Sequence, residues 1–358
     1  MDKPIQRNTP IIKHIVITGG DVVIMNAFGA LQEAHRQGIW NYETVESFYG
    51  TSSGSVLSLM LALGYPLETI EKYLIGRPWY ILFGLQTVNY YDCIVGNGIH
   101  DSSFFYKVFI PLFQGKDIDI NITFRELYEL LGKELYFYTI NLKTAKSEEL
   151  SHKTRPNMRV LDGISASGAL PILCKPFKYD GTFYTDGGFY SNYPIAKCLG
   201  HGHSEENILG VRIKELPVEI TENMGLFEYL LCLIAIILTY TQDKDRVQKN
   251  DIFFDATYSI SQKMAILEKP EERVKAVENG AEDARRWLRQ LQVADYERQL
   301  QVADYERQLQ VADYERQLQV ADYERQLQVA HRKRQLDKEP LATTEPLATT
   351  EPLAPSVP

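Results

Sequence analysis

The first stretch of about 290 residues predicts an α/β layered domain, and three observations carry that reading. Short apolar, β-prone runs alternate with segments of helical grammar. Glycine pairs and glycine-flanked turns stand where strands would hand over to helices. Near Leu288 the composition changes abruptly and a tandem repeat begins, which closes the domain.

His14-Ile15-Val16-Ile17-Thr18 reads as a buried strand entering a Gly19-Gly20 turn, followed by a helix that stops near Gly38. The pattern then recurs. Val45 to Tyr49 is β-prone, the turn Gly50-Thr51-Ser52-Ser53-Gly54 follows, and Val56 to Leu63 forms a helix ended by Gly64. Pro66 suits the first turn of a further helix, which Gly76 ends. Thr123-Phe124-Arg125-Glu126 has the form of a capping box ahead of a strand over Leu135 to Ile140. Tyr229 to Gln242 carries no charge. As a helix its roughly 14 residues reach about 21 Å, short of the roughly 30 Å hydrocarbon core, so a core or interfacial helix is favoured over a single membrane span.

A formal charge of −9 and a pI near 5.4 argue against nucleic acid as a partner. The opening Met-Asp-Lys-Pro-Ile lacks the basic and apolar regions of a secretory signal, so a cytoplasmic location is expected, with peripheral membrane contact as an option. Cys93, Cys174, Cys198 and Cys232 stand far apart with no CxxC, which predicts single buried thiols and no structural metal.

From Arg289 the nine-residue unit Arg-Gln-Leu-Gln-Val-Ala-Asp-Tyr-Glu runs four times to Glu324, with a partial copy to Ala330. Its residues favour helix. At about 100° per residue, nine residues turn the chain by about 900°, so Leu300 and Leu309 face opposite sides and no heptad seam forms. A solvated helix, or one that meets a protein partner, is expected over 289–330. The remainder, 331–358, is a basic cluster followed by repeated Glu-Pro-Leu-Ala-Thr-Thr, whose regular prolines predict disorder.

The chemistry is sought before residue 290. Ser52 lies at the centre of a G-x-S-x-G string between a strand and a helix, where Gly50 and Gly54 allow a sharp turn and the hydroxyl can project from the end of the sheet. A serine-rich helix cap is the plainer reading of the same residues. A serine nucleophile needs a base within hydrogen-bond reach. Asp186, in Thr185-Asp186-Gly187-Gly188, is the candidate acid, although Asp-Gly alone reads as a hairpin turn. His201 and His203 offer a rival Ser-acid-His order, but Gly200-His201-Gly202-His203-Ser204 reads as a polar loop.

Several blocks in order resemble the patatin-like phospholipases. They are Gly19-Gly20 with Gly29-Ala30-Leu31, Gly50 to Gly54, Thr139-Ile140-Asn141-Leu142, Ser165 to Pro171, and Asp186-Gly187-Gly188 with Asn192 and Pro194. The resemblance covers 13–199 well and 200–288 more weakly, where Glu278 to Leu288 is similar to the family's closing helix. It implies a three-layer α/β/α fold with a central, mostly parallel sheet. It also implies a Ser52–Asp186 dyad without histidine, supported by Gly50, Gly54, Gly187 and Gly188, that hydrolyses lipid acyl esters through an acyl-enzyme and needs no cofactor. The implied substrate is a lipid or phospholipid met at a membrane surface, in phospholipase A-like or lysophospholipase-like chemistry. Backbone amides around Gly19, Gly20 and Asp21 would form the oxyanion hole. Here Asp21 replaces a glycine, Val23 a basic residue and Ile24 a later glycine. Those departures motivate a second reading, a lipid- or protein-binding domain with weak or no catalysis, and a third places the chain's business in its repeat.

Overall fold

A computed structural model describes residues 11–84, 95–214, 222, 224–240, 248–255 and 258–336. The strands are β1 (His14–Ile17), β2 (Ser47–Thr51), β3 (Glu134–Asn141), β4 (Lys146–Leu150), β5 (Phe177–Tyr179), β6 (Thr182–Asp186), β7 (Ile208–Ile213) and β8 (Asp251–Phe254). They form one sheet in the order β5-β6-β3-β2-β1-β7-β8, with β4 also paired to β3. From β3 through β2, β1 and β7 to β8 the pairing is parallel, while β4 and β6 run antiparallel to β3.

The sheet is buried on both faces, as continuous apolar strands require. Val16, Tyr49, Tyr136 and Tyr138 cluster with Tyr193, Ile195 and Cys198. Strand alternation turns Ile15, Ile17, Phe48 and Phe137 to the opposite face, and they too are buried. Helices over Ile24–Arg36, Ser53–Ala62 and Ile195–Gly200 pack against the central strands. The result is a mixed α/β fold on a central, mostly parallel sheet.

The strand-to-helix turns stand where glycine spacing placed them. Gly38 and Gly64 adopt left-handed φ values of 71° and 67° beyond the first two helices. Thr123 and Glu126 form the reciprocal capping box of the helix Phe124–Leu131. The Asp-Gly hairpin signal is realised between β5 and β6, at Asp180 (φ 46°) and Gly181 (φ 71°), whereas Asp186 ends β6 and leads into a short helix, Gly188–Ser191. Of the cysteines, Cys174, Cys198 and Cys232 are buried free thiols; Cys93 lies outside the described residues.

The apolar segment forms the helix Leu226–Tyr240, and Gln242 lies outside the described residues. Cys232 and Leu238 face inward, while Leu226, Tyr229, Leu230, Ile237 and Tyr240 are exposed. Among the described residues no helix is long and apolar enough to cross a membrane.

The chain divides into two compact units, 1–290 and 291–358. The helix expected over 289–330 is part of a longer one, Pro270–Leu336, which runs through the basic cluster. After Pro270 no proline interrupts it before Pro340, and Lys333 and Arg334 suit the negative end of the helix dipole. From Val293 to Val329 the repeat leucines, valines and tyrosines are exposed, and Gln308, Gln317 and Gln326 each bond the aspartate four residues before. The tail from 337 onward lies outside the described residues.

In the first unit two helices touch backbone to backbone. A Cβ on Gly29 would collide with the Val277 carbonyl, and one on Gly280 with the Asn26 carbonyl. Gly280→Ala should therefore lower stability by about 2–3 kcal/mol, the cost of overpacking a rigid contact. A urea midpoint equal to wild type would contradict that close crossing.

Candidate active site

The site forms where β1 and β2 end side by side. Ile17 pairs with Gly50, so the loop after β1 and the turn after β2 leave the sheet together. Ser52 takes φ 54° and ψ −126°, a conformation unusual for a side-chain-bearing residue, as the strand gives way to the helix Ser53–Ala62. Glycine is required around it. A Cβ on Gly50 would collide with Gly54, one on Gly54 with the Ile17 and Thr18 carbonyls, and one on Gly19 with Asn192 and the Thr51 carbonyl.

Hydrogen bonds hold the strained turn. The Ser52 N–H donates to Ser167 Oγ at 2.9 Å, and the Ser167 hydroxyl donates to the Tyr138 carbonyl at 2.7 Å. Ser55 Oγ donates to the Ser52 carbonyl at 2.6 Å. Asn192 ties the neighbouring loop down, accepting from the Gly19 N–H at 2.9 Å through its carbonyl and donating to the Gly19 carbonyl at 3.1 Å through Nδ2.

Sheet register delivers the acid. Thr51 pairs with Tyr138, and the next residue of β3, Thr139, pairs with Asp186, so Ser52 and Asp186 lie at one level across three strands. A Cβ on Gly187 would strike the Tyr138 carbonyl, which is why the chain needs glycine after the acid. The Asp186 side chain is 1% exposed. Its Oδ1 accepts from the Gly188 N–H at 2.7 Å, and its Oδ2 is buried with no hydrogen-bond partner among the described residues. Burial pushes the carboxyl up to about 6, against the opposing pull of the Ser52 side chain and the Gly188 N–H.

On the other loop, Gly20 has φ 152° and Asp21 φ 49°. The Gly19 N–H is committed to Asn192, the Val22 N–H to Asp21 Oδ1 and the Val23 N–H to the Gly20 carbonyl. Among the described residues no such bond occupies the amides of Gly20 and Asp21.

His201 and His203 are gathered elsewhere. His201 Nδ1 and His203 Nε2 lie 2.8 and 3.0 Å from the Tyr49 hydroxyl, His201 Nε2 pairs with Glu149 at 3.0 Å, and His203 stacks on His14. Neither histidine bonds Ser52 or Asp186, so the Ser-acid-His arrangement is not formed. Among the described residues no three His, Cys, Asp or Glu side chains converge as a metal site. Ser167 lies in the block Ser165 to Pro171 that carries the family resemblance, where no role was assigned to it, and Lys263, which bonds Asp21 Oδ2 at 2.8 Å, belongs to the site and was not singled out from sequence. No spacing rule marks Lys263.

Fold and site together define a class: an α/β protein that presents a serine on a strained strand-to-helix turn beside a buried aspartate. The sequence model of the patatin-like phospholipases matches residues 15–199, over half of the 358, and the chain belongs to that family. It is 28% identical over 195 residues to the probable lipid hydrolase 463L of Invertebrate iridescent virus 6, a match spanning 54% of this chain and 66% of that protein, just under two thirds. It is 26% identical over 231 residues to the uncharacterized protein R571 of Acanthamoeba polyphaga mimivirus, spanning 62% and 74%. Among solved structures it resembles VipD of Legionella pneumophila with a TM-score of 0.48 and 17% identity, covering 78% of this chain and 67% of that one.

The raised carboxyl of Asp186 has a thermodynamic sign. A folded pKa near 6 against an unfolded value near 3.9 means that the folded state holds its proton more tightly, so this group costs stability as pH rises from about 4 through about 6. Asp186→Asn should raise the melting temperature at pH 8, by a free energy on the order of 2–3 kcal/mol. The gain should shrink toward pH 4. An aspartate-to-asparagine change that is destabilising at pH 8 and neutral at pH 4 would contradict the desolvated carboxylate.

Proposed function

We propose that this chain is a lipid acyl-ester hydrolase in which Ser52 is the nucleophile and Asp186 its base. The observation that carries the proposal is the buried, unpartnered Oδ2 of Asp186 on the same sheet level as the strained Ser52 turn. Ser52 Oγ attacks the ester carbonyl, and its proton passes to Oδ2. The carbonyl oxygen becomes an oxyanion facing the Gly20 and Asp21 N–H groups, beside the N-terminus of the helix Ser53–Ala62. Collapse expels the alcohol, which takes the proton from Asp186, and leaves an acyl-serine. Asp186 then accepts a proton from water as that water attacks the acyl group, and it returns this proton to Ser52 Oγ as the bond from Oγ to the acyl carbon breaks and the fatty acid departs. The scheme uses no cofactor.

The relative named a probable lipid hydrolase supports a lipid ester as substrate, in phospholipase A-like or lysophospholipase-like chemistry. A non-catalytic lipid-binding role rests on the Asp21 carboxylate in the loop, and the Lys263 partner of that carboxylate weighs against it. Ser52→Ala should lower ester hydrolysis at least about 10³-fold, and Asp186→Asn should approach that loss. For the wild type, kcat/KM should rise about tenfold per pH unit below about 6 and level off above it, because only the ionised Asp186 accepts the proton. A profile flat down to pH 4, or a His201→Ala loss equal to that of Ser52→Ala, would defeat the dyad.

The helix Leu226–Tyr240 supports transient docking on a membrane surface. Its outward face carries Leu226, Tyr229, Leu230, Ile237 and Tyr240, and its inward Leu238 lies against Gly188, two residues from Asp186. An apolar face of that kind at the site suits immersion at the depth of the lipid headgroups. Leu230→Glu with Ile237→Glu should cut co-flotation with phosphatidylcholine vesicles at least about fivefold. Equal flotation would remove this helix from the membrane contact. The exposed repeat supports a protein contact outside the hydrolytic unit.

A further inference from the structure

Asp21 places a carboxylate in the loop whose amides receive the oxyanion. That side chain does not stand alone. Its Oδ1 folds back onto the Val22 N–H, and its Oδ2 accepts from Lys263 Nζ at 2.8 Å, across 242 residues of sequence. The two side chains are 34% and 26% exposed, so solvent screens the pair only in part. Lys263 is delivered with little freedom. It lies on the helix Ile260–Glu268, whose start is fixed by a capping box between Ser259 and Gln262. Just ahead of that box, the Tyr258 hydroxyl donates to Asn26 Oδ1 at 3.0 Å, in the helix that follows the Asp21 turn.

The two ends of this contact have opposite effects on the reaction. A carboxylate at Asp21 suits the start of the 3-10 turn Asp21–Val23 that leads into the helix Ile24–Arg36, since a negative charge and a local acceptor are favourable at a helix N-terminus. The same charge opposes an oxyanion on the neighbouring amides. A cation on the outer carboxylate oxygen offsets that charge.

We infer that Lys263 is a positioning residue of the hydrolytic site, which holds the Asp21 carboxylate and offsets its charge so that the Gly20 and Asp21 amides can receive the oxyanion. The inference rests on the hydrolase reading above. It requires no new bond to the substrate, and Lys263 acts only through Asp21.

The test is a double-mutant cycle on the full chain with a short-chain phosphatidylcholine, read as kcat and KM separately. Lys263→Gln should lower kcat at least about tenfold with KM within about twofold, and Lys263→Arg should recover most of the loss. On an Asp21→Asn background the same Lys263→Gln change should alter kcat by less than about twofold, because the charge it offsets is gone. A wild-type kcat for Lys263→Gln, or an undiminished loss on the Asp21→Asn background, would overturn the inference. If Lys263→Gln alone does not fold, the comparison on the Asp21→Asn background still decides: equal kcat supports the inference and a tenfold deficit refutes it. Fluorophosphonate labelling of the wild type separates the two levels. A chain that labels and hydrolyses while the cycle shows no coupling loses only the role of Lys263, and one that neither labels nor hydrolyses loses the hydrolase reading and this inference with it.

Discussion

Everything in the site depends on how closely the backbone leaving β1 approaches the backbone leaving β2. Gly19, Gly50 and Gly54 have no room for a Cβ, and their contacts are with main-chain atoms or Asn192, which cannot swing aside as a free surface side chain would. That approach forces Ser52 into its positive-φ turn and brings the Gly20 and Asp21 amides to the same rim. The turn is strained, and strain persists only where its surroundings over-determine it. Here the surroundings are the Ser52 N–H to Ser167 to Tyr138 chain and the anchoring of Gly19 by Asn192.

The same packing sets the electrostatics. Asp186 arrives on β6 through its register with β3, at a depth where its carboxyl is almost fully desolvated. Burial raises its proton affinity to the range where a base works near neutral pH, and it costs the fold stability in return. Asp21, by contrast, stays partly in water and is held by Lys263. One acid is buried with a hydrogen bond on Oδ1 and none on Oδ2 among the described residues, and the other is partly exposed and paired with a lysine.

Much of the fold was legible because its signals are local. The buried β1 run, the Gly38 and Gly64 stops and the Thr123–Glu126 box are set by residues within a few positions of one another, and they stand as the spacing predicts. Ser52 was legible for the same reason, since the strand, turn and helix that aim it are contiguous. Asp186 was less so. An Asp-Gly pair is a hairpin signal, and only the pairing of β6 with β3 separates it from Asp180-Gly181, where the hairpin lies. The terminal helix extends beyond the repeat at both ends because the change of composition near Leu288 brings no helix breaker with it. Lys263 was out of reach altogether, since its partner lies 242 residues away and nothing local in its own helix marks it.

The central claim is that the Ser52 turn and the Gly20-Asp21 loop form one preorganised cradle for a tetrahedral oxyanion. A crystal structure of the chain inactivated by a methyl alkylphosphonofluoridate tests it most directly, because the phosphonyl oxygen stands where the oxyanion would form. The account predicts phosphorus bonded to Ser52 Oγ, with that oxygen about 2.7–3.1 Å from the Gly20 and Asp21 nitrogens. An adduct on Ser52 whose oxygen points to solvent, or phosphorus on another residue, would contradict it.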